Sequence, residues 1–248
     1  MEMIKNNSAF HEEGRGLPKG MVPEEDATTE IKKMEKKLLD SRTAFLNMLR
    51  DLDFSCKELK KLCESLVAAF INALDAKSPW TKGHSERVTS YAVAIAREMS
   101  LSWKDVETLR TAALLHDIGK IGTYEVILDK PESLSIEEIA LVKMHPAKGE
   151  EILSPISQLK DILPIIRGHH EMIDGKGYPD GLKNNEIPLL SRIIAVADSF
   201  DSMVSERPYR QRVSIEDAFT ELRRCSGTQF DPQVVDAFSR ASVKYVLF

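Results

Sequence analysis

The stretch from Leu114 to Gly122, LLHDIGKIG, restricts what this chain can fold into more than any other. Its apolar run predicts a helix that carries His116 and Asp117 into its last turn and breaks at Gly119, with Lys120 at the break. An imidazole and a carboxylate set among alanine and leucine must be paired, hydrogen-bonded or metal-bound, because burial penalises an unsatisfied polar group. For an isolated dipeptide, a histidine–aspartate hydrogen bond within a helical core would suffice. The rest of the chain points further. Of six histidines, five (His84, His116, His145, His169 and His170) fall on apolar helix faces or at helix ends. The sixth, His11, sits in a polar tail and carries no chemistry in this reading.

Helical periodicity accounts for nearly everything around them. Val88, Tyr91, Ala92, Ile95 and Met99 are spaced as one helix face behind His84, and Val106, Leu109, Ala113 and His116 as another. Ser102 with Asp105, and Ser135 with Glu138, read as capping boxes that start helices. The second of these helices is expected to place Leu141, Val142 and His145 on one face and to end at Pro146. His169 and His170 follow an apolar stretch in which Pro164 kinks the element or opens a new turn. A polar loop rich in turn formers, Gly175 to Gly181, precedes a helix on which Ile194, Ala197, Asp198 and Asp201 share a side. Neither strand alternation nor an internal repeat is present, so the expected class is all-α.

The N-terminal part differs in composition. Residues 1–23 are polar and broken by glycine and proline, which predicts a disordered tail. Residues 24–58 form a helical or coiled-coil linker in which Ile31, Leu38, Phe45 and Leu52 recur every seven residues, with Met34 and Met48 on a second seam. Ser41 and Ser55 interrupt that second seam, and the helix could serve as a dimer seam or lie along its own domain. Residues 59–248 form the remaining domain.

The net charge of −5 excludes a general nucleic-acid coat, which needs a basic surface, yet leaves room for a small anionic ligand held by a few local cations. No apolar run reaches the length of a membrane span and no secretory leader is evident. Cys56, Cys63 and Cys225 follow no metal or disulfide spacing, so a reducing, cytoplasmic location is expected.

Together His84, His116, Asp117, His145, His169, His170 and Asp198 make a nitrogen and oxygen set without thiolate. A set of this size suits two six-coordinate divalent ions better than one tetrahedral zinc, with Asp117 placed to bridge them. Such a pair activates a water for in-line displacement at phosphorus, and Lys120 would add charge at the phosphate.

These residues also carry a resemblance. HDIGK, the later HHEMIDGKGYPDGLK and SRIIAVADSFDSM resemble the HD-GYP family, a branch of the HD-domain phosphohydrolases that hydrolyse cyclic di-GMP. The likeness runs from about Leu66 to Phe238. It implies an HD-domain helical bundle with an HD-GYP C-terminal extension, preceded by the long N-terminal helix. It implies metal ligands at His116, Asp117, His145, His169, His170 and Asp198, with His84 matching the family's first histidine. It also implies catalytic roles for Asp117 and Lys120 and substrate contacts from Lys120, Gly177, Tyr178, Arg207 and Arg210. Where some members carry a glutamate four residues before the first histidine, this chain has Trp80, which implies a binuclear site with iron or manganese and leaves His84 the weakest of the ligands. The GYP loop would form a lip over substrate or only a turn, and Arg207 and Arg210 would hold phosphates or only lie at the surface.

The expected function is metal-dependent hydrolysis of cyclic di-GMP to pGpG, and onward to GMP, by a hydroxide held between the metals. Cyclic GMP-AMP as substrate, or a non-catalytic nucleotide-binding scaffold, are the alternatives. The N-terminal helix suggests a homodimer or attachment to a sensor or GGDEF-type partner protein.

Overall fold

The computed structural model describes residues 24–75, 83–121, 134–205 and 212–245. The tail at 1–23, Trp80, Arg207 and Arg210 lie outside them. Among the described residues every extended element is helical, and the one β-bridge, between Ser226 and Phe230, is isolated. The class is all-α, as its periodicity predicts.

Helix α1 (Glu24–Asp75) runs unbroken through the boundary expected near residue 58. The chain divides into two compact units, 1–63 and 64–248. In the first unit the heptad residues Ile31, Met34, Leu38, Phe45, Met48 and Leu52 are all exposed. In the second, Ile71 is buried and Val67 packs against the core.

The second unit is built on α2 (His84–Glu98), which packs against α3 (Trp103–Leu115), α7 (Leu189–Val204) and α9 (Pro232–Tyr245). Its apolar residues recur on several sides, so Val88, Ala92, Ile95 and Ala96 lose all contact with water. Ile95, Leu109, Ile166, Ile193, Ile194, Phe200 and Phe238 fill the centre. Tyr91 meets Phe200 edge-on at 5.3 Å and Phe238 at 5.9 Å, while Phe219 of α8 (Ile215–Arg224) closes the same cluster. Such ring pairs add to the area they bury.

The helix starts follow their caps. Ser135 accepts from the Glu138 N–H at 3.2 Å and the Glu138 carboxylate accepts from the Ser135 N–H at 2.7 Å, completing the box that starts α4 (Ile136–Val142). At α3 the cap is one-sided. Ser102 Oγ accepts from the Asp105 N–H and donates to its carboxylate, because aspartate is a methylene too short to reach back to the cap backbone. The expectation that His145 ends a helix at Pro146 is incorrect. His145 is the first residue of a new helix, α5 (His145–Leu153), with Pro146 in its first turn. A proline there loses nothing, since first-turn N–H groups have no intrahelical partner. Pro164 likewise lies in the first turn of α6 (Leu163–Arg167).

Candidate metal centre

The HD stretch folds as read. α3 ends at Leu115, His116 caps it, and a 3-10 turn over Ile118–Lys120 follows. This turn lies against α5, so close that a Cβ on Gly119 would collide with the His145 carbonyl. Two histidine-bearing segments distant in sequence are thereby locked together.

His116, His145 and His169 share one arrangement. Each ring Nδ1 lies 2.6–2.8 Å from the carbonyl oxygen three residues earlier, Ala113, Val142 and Ile166 respectively. A carbonyl only accepts, so each Nδ1 carries the hydrogen and each Nε2 presents a lone pair. Histidines that bind metal are held in this way. The lone pairs converge: His145 Nε2 and His169 Nε2 face each other at 3.1 Å with no hydrogen between them. His116 Nε2 and Asp117 Oδ1 are buried without a hydrogen-bond partner.

Asp117 lies between two groups. Its Oδ1 is 3.3 Å from His145 Nε2, while its Oδ2 is 3.4 Å from His116 Nε2, 3.7 Å from His84 Nε2 and in contact with Lys120 Nζ. His145, His169 and His170 bring one ligand atom each within a metal's reach, as do His84, His116 and Asp198; His116, Asp117 and His169 link the two triads. Every histidine and aspartate expected as a ligand is in one of the three.

Charge within the cluster follows from burial and pairing. Burial, above all, holds His145 down to about 4 and His170 to about 3, and pushes His169 well below the usual imidazole range, so all three are neutral at pH 7. Burial alone would raise Asp117 and Asp198, but their cationic neighbours outweigh it: Lys120 first for Asp117 and His84 for Asp198. His84 is the exception. Despite burial, its contacts to Asp198 and Asp201 raise it to about 9. A divalent ion held at that triad would compete with a proton on His84 Nε2 for the same carboxylates.

Two supports were not identified as site residues in the sequence. Asp201, 1 % exposed, accepts from His84 Nδ1 at 2.7 Å and from Arg87 Nε and Nη2 at 2.7 and 3.0 Å, which turns His84 Nε2 toward Asp117 and Asp198. The signal was present as spacing, since Asp201 lies one turn after Asp198 and Arg87 one turn after His84. Glu171, buried beside the double histidine, accepts from the N–H groups of Asp180, Gly181 and Leu182 at 2.7–3.1 Å and so ties down the GYP loop. Arg167 clamps the loop from outside by a two-pronged pair with Asp180 and a bond to Glu150. Tyr178 is stacked on His170 with centroids 4.8 Å apart, and Gly177 is pressed against the Glu171–Met172 backbone. The loop therefore walls the cluster.

An all-helical bundle that gathers histidines and aspartates in this way defines a class. The chain matches the family described as HD domain over residues 68–234 and belongs to it, within its HD-GYP branch. HD-domain phosphohydrolases bind divalent metals, and these clusters could hold them. Over 178 residues the chain is 45 % identical to a Vibrio cholerae protein named 3'3'-cGAMP-specific phosphodiesterase 3, covering 72 % of this chain and 39 % of the relative. Over 162 residues it is 48 % identical to a Thermotoga maritima cyclic di-GMP phosphodiesterase, covering 64 % and 44 %. The chain thus spans less than half the length of these two relatives. Among solved structures, the Bdellovibrio bacteriovorus HDG"Y"P protein Bd1817 aligns with a TM-score of 0.55 at 20 % identity, covering 73 % of this chain and 62 % of that one, a likeness of fold.

Proposed function

We propose that the chain is a metal-dependent phosphodiesterase that opens cyclic di-GMP to pGpG and then to GMP. The observation that carries this reading is the pair of Nε2 lone pairs facing each other at 3.1 Å beside the orphaned His116 Nε2 and Asp117 Oδ1. Lone pairs repel at that distance unless a cation lies among them. Two divalent ions, iron or manganese by the nitrogen and oxygen donors, would supply a nucleophilic water and neutralise charge on the phosphoryl oxygens. Asp117, with one oxygen toward each triad, would be held in common by both ions. His84, His116 and Asp198 form one group of donors, and His145, His169 and His170 the other. Lys120 is partly exposed and has three N–H donors; one meets Asp117, and the others can hold a phosphate oxygen that gains charge as the ester opens. Tyr178, held by Gly177, forms the lip, and Arg207 and Arg210 supply further phosphate contacts.

Purified protein supplied with Mn(II) or Fe(II) should linearise cyclic di-GMP, and Asp117→Ala should not. A wild type inert with every divalent metal would end this reading. A second substrate has its own support: the 45 %-identical relative bears the name of a cGAMP phosphodiesterase. Turnover of cyclic di-GMP and 3'3'-cGAMP side by side decides between them.

The exposed apolar seam of α1 makes the chain a homodimer, or docks it on a sensor or GGDEF-type partner, because a heptad stripe left in water favours a second helix. Light scattering on a chain shortened to begin at Leu59 should report a monomer where the longer chain is a dimer. Among the described residues no helix is long and apolar enough to cross a membrane. The free thiols of Cys56, Cys63 and Cys225 fit the cytoplasmic location proposed here.

A further inference from the structure

The rim of the metal centre holds a cation that none of the proposed phosphate contacts uses. Lys143 closes α4 two residues before His145, and its Nζ lies over the Tyr178 ring, 5.5 Å from the centroid. That is within the reach of a cation–π contact. The same ring is stacked on His170, so one aromatic ring separates the ammonium from a candidate ligand. Both sides of this arrangement are fixed. The Val142 carbonyl, next to Lys143 in the chain, accepts from His145 Nδ1 at 2.8 Å and ties the root of the lysine to the cluster. Opposite it, the Tyr178 N–H donates to the His170 carbonyl at 3.2 Å, within the loop that Glu171 anchors. Lys57, Lys120, Lys176 and Lys244 each meet a carboxylate, whereas Lys143, which is exposed, has no carboxylate partner among the described residues. A charge held by a ring face alone keeps N–H donors for a ligand.

We propose that Lys143 binds the second phosphodiester of the cyclic dinucleotide, the one that is not being cut; the inference rests on the phosphodiesterase reading above. A cyclic dinucleotide carries two phosphodiester groups, each with a negative charge. The metal cluster and Lys120 meet the one that opens, and the other is left at the rim, where an anion needs a cationic donor. The two lysines attend different triads. Lys120 contacts the Asp117 oxygen that faces His116 and His84, whereas Lys143 reaches the ring stacked on His170. An ammonium is a compact charge with rotatable donors, so it can follow a phosphate whose direction the metals do not fix. Because this phosphate does not react, its contact is equally strong in the ground state and the transition state. Its loss therefore falls on KM and spares kcat.

The test compares wild type, Lys143→Gln and Lys143→Arg, all loaded with Mn(II), on cyclic di-GMP. Lys143→Gln should raise KM about tenfold at low ionic strength, the size of one charge-assisted hydrogen bond, with kcat and manganese content unchanged. Added salt should narrow that difference, since an exposed charge is screened. Lys143→Arg keeps the charge over the ring and should stay within about threefold of wild type. A KM for Lys143→Gln within about twofold of wild type would overturn the proposal. So would a fall in kcat or in bound manganese, which would make Lys143 a support for Tyr178 and the candidate ligands, or a Lys143→Arg variant as impaired as Lys143→Gln. If the wild type does not cleave cyclic di-GMP, the functional reading fails and the contact is judged separately, by calorimetry of cyclic di-GMP on the same Mn(II)-loaded proteins. Weaker binding to Lys143→Gln than to wild type supports the contact; equal binding, or none to either, refutes it.

Discussion

Gly119→Ala should damage stability and metal binding together. A Cβ at this position would collide with the His145 carbonyl oxygen and lie 2.6 Å from the Gly149 nitrogen and 2.9 Å from the His145 carbonyl carbon. All three atoms belong to the backbone of α5, so no rotamer change relieves the overlap. Overpacking in a dense core costs about 1–3 kcal/mol, and unyielding backbone places this case at about 3. Alanine restricts the unfolded chain more than glycine does, offsetting up to about 1 kcal/mol. The net loss should be about 2 kcal/mol, roughly 30-fold in the folding equilibrium. The overlap also pushes apart the 3-10 turn and α5, which hold Asp117 Oδ1 and His145 Nε2 at 3.3 Å. Urea unfolding of metal-stripped protein measures the first effect, and the manganese content of the loaded protein the second. Gly149→Ala is the control, because its Cβ would meet side-chain methyls of Ile166 and Ile118 at 3.1 and 3.4 Å and gains about 1 kcal/mol of helix propensity. If Gly119→Ala costs no more than Gly149→Ala, or retains a full metal complement, the two segments are not locked as described.

Asp201→Asn should lower manganese affinity about 10- to 100-fold, because a neutral amide holds the His84 ring more weakly than a carboxylate; a dissociation constant within twofold of wild type, by calorimetry, would show that His84 does not depend on Asp201. Glu171→Gln leaves one acceptor oxygen for three N–H groups that two carboxylate oxygens serve, so at least one N–H faces the amide nitrogen and loses its bond while the rest weaken, at about 2–3 kcal/mol in all. Trypsin should then cut faster after Lys176 and Lys183, and an unchanged cleavage rate would mean that the carboxylate does not anchor the loop. Metal-stripped protein should lose stability in mild acid. The unfolded chain protonates each histidine near 6.5, whereas folded His145 and His170 resist until about 4 and about 3. Their contribution is complete above pH 6.5 and is lost as pH falls through that window, by about 1.4 kcal/mol per pH unit for each histidine. His84 acts oppositely, its contribution being whole below 6.5 and lost as pH rises toward 9. Urea midpoints that stay flat between pH 6.5 and 4.5 would contradict the neutral, buried histidines.

The candidate ligands could be read from the sequence because each breaks a local rule. His116, Asp117 and Asp198 are polar residues in apolar helical stripes, and burial at such positions demands a partner. Their supports are harder to assign from local pattern. Asp201 shares the apolar side of α7 with Asp198, but nothing local says which distant group it would hold, and Glu171 opens a loop in which acidic residues are ordinary. What distinguishes them is contact at long range: His84 and Asp201 are 117 residues apart, and Arg87 and Asp201 114. The start of α5 is illegible in the sequence for a related reason. Pro146 is a stop when read from the preceding helix and a favoured first-turn residue when read from the next, and only the packing of α5 on the HD turn chooses between the two.

One periodic signal reaches past the candidate ligands themselves. Asp198 and Asp201 are three apart on α7, so their carboxylates project from neighbouring turns of the same face. The first meets His84 Nε2 at 3.3 Å and the second meets His84 Nδ1 at 2.7 Å, gripping one imidazole by both nitrogens. A single helix thus supplies the candidate ligand and the group that orients its neighbour, and α2 answers with His84 and Arg87 at the same spacing. In a helical metal site, a carboxylate three residues from a ligand is therefore the place to look for the residue that aims it. The Asp201→Asn titration tests that rule directly: lost affinity with an intact fold is expected if Asp201 aims His84, and unchanged affinity would reduce it to packing.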